Sequence, residues 1–288
     1  MAEVAKALEV RGVTVRFSGL VAVDGVSVSV PAGAIFSLIG PNGAGKTSLV
    51  NCVTGYYRAA YGDVLLFGER VTGWAAHRVA RAGVARTYQN IELFRGMSVI
   101  ENLMLGRHLR LRAGLISGGL YSRRARAEEL RERAVVEDLI DFLELAPVRK
   151  RPVGLLPYGL QKRVDLGRAL ALEPRLLVLD EPMAGMNLEE KEDIARFVLE
   201  TRAAKGVTVL LIEHDMGVVM DLSDHVAVLD FGRLIAEGPP ETVRNDAKVI
   251  EAYIGERAMA RRGPALAPAG DRGRGPRSHS DEPPGEEP

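Results

Sequence analysis

Residues 40–47 read GPNGAGKT, and this spacing of Gly, Lys and Thr carries the clearest chemistry in the chain. It matches G-x-x-x-x-G-K-[ST] and lies between an apolar run, AIFSLIG (34–40), and a helical pattern. Gly40, Gly43 and Gly45 let the backbone close around phosphate oxygens, with free N–H groups at the helix start pointing at the anion. Pro41, Asn42 and Ala44 complete the loop, and Ser48 follows in the first helical turn. Lys46 can reach the β- and γ-phosphates of ATP, and the Thr47 hydroxyl can ligate Mg²⁺.

A second stretch, RLLVLDEP (175–182), supplies carboxylates. Its apolar strand ends in Asp180, at the edge where α/β sheets bind ligands. Asp180 can hold Mg²⁺ through water, and Glu181 can orient or activate an attacking water. In LLIEHD, His214 follows another apolar run. A lone His at a strand end is commonly structural, but the placement beside the same edge favours a catalytic role. Gln89 in RTYQNIELF, taken alone, reads as a surface Gln.

The elements that must position these residues follow from periodicity. LEVRGVTVRF (8–17) and GVSVSV (25–30) alternate as half-buried strands do, whereas AIFSLIG is a strand buried on both faces. A helix should run through Val53 and stop at Gly55, with another strand over 63–68. From about Asn90 to Arg163 helix formers dominate, as in 123–145, which predicts a helical insertion. Strands return at 175–180, 207–214 and 225–230, alternating with a helix over 188–206 and ending in a hairpin at 229–238. Strand and helix alternation around a phosphate loop predicts an α/β fold with a mainly parallel sheet.

Composition narrows the function further. Lys+Arg and Asp+Glu are both 38, so no global charge argues for a nucleic-acid partner. The segment 107–133 holds eight Arg and three Glu, which reads as a solvated helix face before a nucleic-acid or lipid-headgroup surface. The single Cys52 excludes an internal disulfide and reads as a small buried core residue. MAEVAKALEV carries no signal-peptide core, and no apolar run approaches the ~18 residues of a membrane span. In 259–288, Pro and Gly supply 11 of 30 residues, so the tail from 257 is expected to be disordered.

Together these motifs resemble the ATP-binding cassette (ABC) family over residues 8–256. GPNGAGKT looks like its Walker A, RLLVLDEP its Walker B, Gln89 its Q-loop and His214 its switch histidine. LPYGLQKR (156–163) stands where the family has its signature motif, which contacts ATP held by a second cassette. The resemblance implies a P-loop NTPase core with an antiparallel β subdomain and an inserted helical subdomain. It implies catalytic roles for Glu181, His214 and Gln89, with Thr47, Asp180 and Gln89 around Mg²⁺. It also implies trans contacts to ATP from Pro157, Tyr158, Gly159 and Leu160. Pro157 replaces the usual Ser and Leu160 the usual Gln, so this half of a heterodimer is expected to be the weaker site. Phe17 has the spacing of an adenine-stacking aromatic, although a core Phe on a strand would read the same. AGMN (184–187) resembles the D-loop, with Asn187 for the common Asp.

RTYQNIELFRGMSVIENLMLGRH (86–108) and KVIEAYIG (248–255) are similar to the ATP-binding subunit of branched-chain amino acid (LIV-type) importers. That subgroup implies two integral membrane permease subunits, a second ATPase subunit or a second copy, and a substrate-binding protein acting indirectly. It implies a peripheral place on the cytoplasmic face of the inner membrane, with NIELF (90–94) near the docking groove. Related cassettes serve urea import and lipopolysaccharide export. A soluble ABC ATPase acting on ribosomes or DNA is disfavoured by one P-loop, one Cys and no sustained heptads. A small-molecule kinase leaves Gln89, LPYG and His214 unexplained together.

Overall fold

The structure, a computed structural model, describes residues 5–108 and 123–262 of the 288-residue chain. Among the described residues the strands form two sheets. The first is antiparallel, in the order β2–β1–β4–β5, from β1 (Lys6–Phe17), β2 (Leu20–Pro31), β4 (Tyr61–Leu66) and β5 (Glu69–Arg70). The second has the order β10–β9–β3–β8–β7–β6, from β3 (Ile35–Ile39), β6 (Val84–Arg86), β7 (Leu176–Asp180), β8 (Thr208–Ile212), β9 (His225–Asp230) and β10 (Arg233–Gly238). Strands β6, β7, β8, β3 and β9 pair in parallel, and β10 closes the edge as a hairpin with β9.

The burial patterns explain the sheets. β3, β7 and β8 are buried at every position, as strands covered on both faces must be. β1 and β2 mix buried and exposed positions, so each has one face on the core. One apolar cluster fills the space between the two sheets and around helix α1 (Lys46–Val53). Another packs the opposite face of the parallel sheet against α3 (Val99–Gly106), α4 (Arg123–Phe142), α5 (Tyr158–Leu170) and α6 (Leu188–Lys205).

Left-handed backbone positions set several boundaries. α1 ends at Val53, with Thr54 at the cap and Gly55 at φ 80. β4 stops at Leu66, short of the expected 68, because Phe67 and Gly68 turn the chain at φ 51 and 86. α4 stops at Phe142, short of 145, because Glu144 adopts φ 56. β6 is only three residues long, and with α2 (Ala76–Arg81) it was not legible as an element. α5 continues to Leu170, so the expected insertion boundary at 163 falls within a helix. Arg107 does not share the solvated face expected of 107–133. It is 3% exposed, pairs with Glu132 and donates to Ala171 O at 2.7 Å. Residues 109–122 of that basic segment lie outside the described residues.

α7 (Met216–Leu222), α8 (Pro240–Arg244) and α9 (Ala247–Arg262) complete the chain as described. α9 runs past residue 257, and the remainder of the expected tail lies outside the described residues. Among the described residues no helix is long and apolar enough to cross a membrane.

Candidate functional site

The loop between β3 and α1 borders a cleft of about 660 Å³, lined by Asn42–Ser48 together with Phe17, Gln89, Glu181 and Phe231. Close backbone approach dictates its glycines. A Cβ on Gly40 would stand 2.0 Å from Leu229 O, and one on Gly45 would stand 2.4 Å from Ala22 O. Both residues also adopt positive φ, 145 and 98. Lys46 is buried at the helix start, and its Nζ donates to Gly40 O at 2.6 Å and Pro41 O at 2.9 Å. The loop is thus folded over its own lysine, with the amides of α1 directed into the cleft.

The carboxyl ends of β7 and β8 bring the acidic and polar residues to the same side. Asp180 ends β7, is 6% exposed and accepts a hydrogen bond from Arg86 Nη2 at 2.6 Å. Glu181 follows in the left-handed region at φ 46, a conformation that costs a non-glycine residue on the order of 1 kcal/mol. Its amide donates to Ile212 O at 2.9 Å, so β8 fixes this turn. Its carboxylate accepts from Gln89 Nε2 at 3.0 Å, and His214 Nδ1 lies 3.7 Å from the same oxygen. Gln89, which alone reads as a surface residue, is therefore bonded to Glu181 across the cleft. Phe17 is 40% exposed at the rim and meets Tyr57 edge to face with centroids 5.0 Å apart.

The signature residues lie elsewhere on the molecule, and none lines the cleft of its own chain. Pro157 precedes the first turn of α5. Tyr158 is 42% exposed, and its hydroxyl donates to Ala184 O at 3.2 Å. Gly159 is buried against the Glu190 side chain, which a Cβ would have to displace. Leu160 packs against the helical core. The start of α5 thus lies beside the 184–187 loop.

Three ionic side chains at the site are given no role by the sequence motifs. Lys162, 4% exposed on α5, donates to Gln89 O at 2.9 Å. Burial pulls its pKa below the ordinary lysine range, against the pull of Asp165, Glu213, Glu181 and Asp180. Glu213, 1% exposed, accepts from Met183 N at 3.1 Å and His214 N at 3.2 Å, and burial pushes its pKa up. It holds the turn after Glu181 and the backbone of His214 together. Arg86 is the third. Only its position three residues before Gln89 marks it in the sequence.

Asp180, Thr47 and Gln89 offer hard oxygen donors, the set that suits Mg²⁺ rather than a thiophilic metal. Among the described residues no group of three or more His, Cys, Asp or Glu side chains could hold a metal by itself. Such oxygen donors suit a hard cation that also takes phosphate oxygens.

A phosphate loop at the carboxyl edge of a parallel sheet, an antiparallel sheet beside it and a helical arm opening on LPYG define an ATP-binding cassette. The chain belongs to the ABC transporter family, whose profile matches residues 23–184. It is accordingly an ABC-type ATPase. A second profile, that of the branched-chain amino acid ATP-binding cassette transporter, matches residues 233–258.

Curated relatives include the high-affinity branched-chain amino acid transport ATP-binding protein BraF of Pseudomonas aeruginosa, 42% identical over 249 residues, covering 86% of this chain and 98% of that protein. They also include LivG of Escherichia coli, which carries the same description, 43% identical over 252 residues, with 86% and 98% covered. The solved structure of the ADP conformation of MJ1267, an ATP-binding cassette of an ABC transporter, superposes with a TM-score of 0.76 at 34% identity. It covers 87% of this chain and 99% of that one.

Proposed function

We propose that this chain is the ATP-hydrolysing subunit of a branched-chain amino acid importer, working on separate membrane subunits from the cytoplasmic face. The observation that carries the catalytic half is the Gln89–Glu181 hydrogen bond of 3.0 Å at the mouth of the phosphate-loop cleft. It joins the loop that leads into the helical arm to the carboxylate that would activate water. The identity of the solute is supported by the relatives named above and by the match over residues 233–258.

In this reading the amides of residues 43–48 cradle the phosphates. Lys46 leaves Gly40 O and Pro41 O to bind the terminal phosphates. Phe17 stacks on the adenine. Glu181 accepts a proton from the attacking water, Gln89 orients that water, and His214, whose Nδ1 lies 3.7 Å from the Glu181 carboxylate, steadies the γ-phosphate. Thr47, Asp180 and Gln89 would hold Mg²⁺ brought in with ATP, and the ion would supply positive charge against the phosphates. Pro157–Leu160 would face the nucleotide of a second cassette, either another copy or a different subunit. Lys162 links that signature helix to the Gln89 backbone, so closure of the dimer reaches the membrane partner beside 90–94.

The test is Glu181→Gln, expressed in its own host and purified from membranes with Mg-ATP. It should bind ATP, hydrolyse it at least ~100-fold more slowly, and retain multi-span membrane proteins together with a second ATPase. Cells carrying only this variant should lose leucine, isoleucine and valine uptake. Unchanged turnover would remove Glu181 as the base, and normal uptake of all three would overturn the assigned solute.

A further inference from the structure

Arg86 is bound at both ends of its guanidinium. Nη2 donates to Asp180 Oδ2 at 2.6 Å, while Nη1 donates to Asn51 Oδ1 at 2.6 Å and Thr54 Oγ1 at 3.2 Å. The Arg86 and Asp180 side chains are 7% and 8% exposed. Asn51 and Thr54 lie at the far end of α1, the helix whose first turn faces the phosphates. One side chain on β6 therefore spans the strand that ends in Asp180 and the helix that begins at Lys46. Tyr88 covers the guanidinium, with its ring centre 5.0 Å from Cζ. The third nitrogen, Nε, is buried without a hydrogen-bond partner among the described residues.

Burying a carboxylate is costly unless a counter-ion or hydrogen bonds compensate it. Arg86 pairs with Asp180, so its guanidinium sets a positive charge directly against this carboxylate. A divalent cation brought in with nucleotide would meet the same carboxylate and be repelled by that positive charge. Asn51 and Thr54 offer Arg86 a hold that does not depend on Asp180.

We propose that Arg86 is a positioning residue acting as a stand-in cation. It neutralises Asp180 while the nucleotide site is empty, and it slackens toward Asn51 and Thr54 when Mg²⁺ enters with ATP. The proposal rests on the reading of Asp180 as a metal-holding residue. Its consequence is that Arg86 weakens the hold on Mg²⁺ in exchange for an intact empty site. A purely structural pin would lower stability without changing the demand for metal.

The experiment measures ATP binding by the full-length Glu181→Gln chain as Mg²⁺ is titrated in from an EDTA-treated start, alongside thermal unfolding in EDTA. Arg86→Met should lower the half-saturating Mg²⁺ concentration by about tenfold, the scale set by removing one unit charge several ångströms from a divalent ion in a partly wet site. It should also melt earlier in EDTA, with a larger gain on adding Mg-ATP. Arg86→Lys, which keeps the charge, should stay within about threefold of the parent midpoint. Asn51→Leu removes the competing anchor and should raise the midpoint, which tests the idea even where Arg86→Met fails to fold. An unchanged or higher midpoint in Arg86→Met, or an unchanged one in Asn51→Leu, overturns the proposal. A parental Mg²⁺ midpoint in Asp180→Asn would sink the assignment of Asp180 itself, and this proposal with it.

Discussion

Gly159→Ala probes how the signature helix is seated on the loop at 184–187. A Cβ at Gly159 would stand 2.2 Å from Oε1 of Glu190 and 2.6 Å from its Cδ. Contacts that short do not persist, so Glu190 must swing away. Its other oxygen, Oε2, accepts from Asn187 N at 3.1 Å, one half of the capping box that starts α6. Losing that half costs roughly 0.5–1 kcal/mol. Alanine is in turn favoured over glycine inside a helix by up to ~1 kcal/mol, and less in the first turn, where Gly159 lies. In the parent protein these two effects nearly cancel. In a Glu190→Ala background the box is already open and the clash is gone, so the same substitution should stabilise. The coupling across the pair is about 1 kcal/mol, equivalent to a shift of ~2–4 °C in Tm for a domain of this size. Urea unfolding of the parent, both single variants and the double variant without nucleotide gives all four free energies. Equal effects of Gly159→Ala in the two backgrounds would refute the proposed contact between signature helix and capping box.

Lys162→Met should lower stability by about 1–3 kcal/mol, because Gln89 O loses its charged donor while the methionine relieves some desolvation. An unchanged Tm would count against it. Because burial depresses the Lys162 pKa, the unfolded chain binds more protons between that depressed value and the ordinary one near ~10.4. Stability therefore contains a term that rises with pH across this window, and Lys162→Met should flatten the slope. Burial pushes the Cys52 thiol up to about 11, so at about pH 8 the native protein should react with an aromatic disulfide only as fast as it opens, and at once in guanidinium. The raised thiol pKa gives a stability term that is full below ~8.5 and is lost as pH rises toward the folded value. Fast native labelling would place Cys52 outside the core.

What was legible in the sequence is what contiguous backbone geometry demands. The phosphate loop shows because Gly40 and Gly45 have neighbours that exclude any Cβ, and the chain spells those needs within eight residues. Asp180 and His214 show because each ends an apolar run of strand length. Arg86 and Glu213 do not show, since each takes its meaning from partners that only folding supplies. Arg86 meets Asp180 across 94 positions, and Glu213 meets Met183 across 30. Lys162 lies inside the signature stretch, yet nothing in LPYGLQKR signals that it is buried under the Gln89 carbonyl. β6 was missed because three residues are too few for any period to be counted. Its end is nonetheless where Arg86 stands.

The strand order has a consequence for how the chain is made. β3, which delivers the phosphate loop, pairs with β8 and β9, so Phe36 waits for Leu210 and His225. At ~5–20 residues per second of synthesis, that is on the order of ten to forty seconds on the ribosome. Over the same interval β1, β2, β4 and β5, which pair only among themselves within residues 6–70, can already zip into their own sheet. A nascent chain would thus display a finished antiparallel sheet beside an unpaired strand that is apolar at every position but Ser37. The central strand of the nucleotide site would then stand open to chaperones and to aggregation during translation.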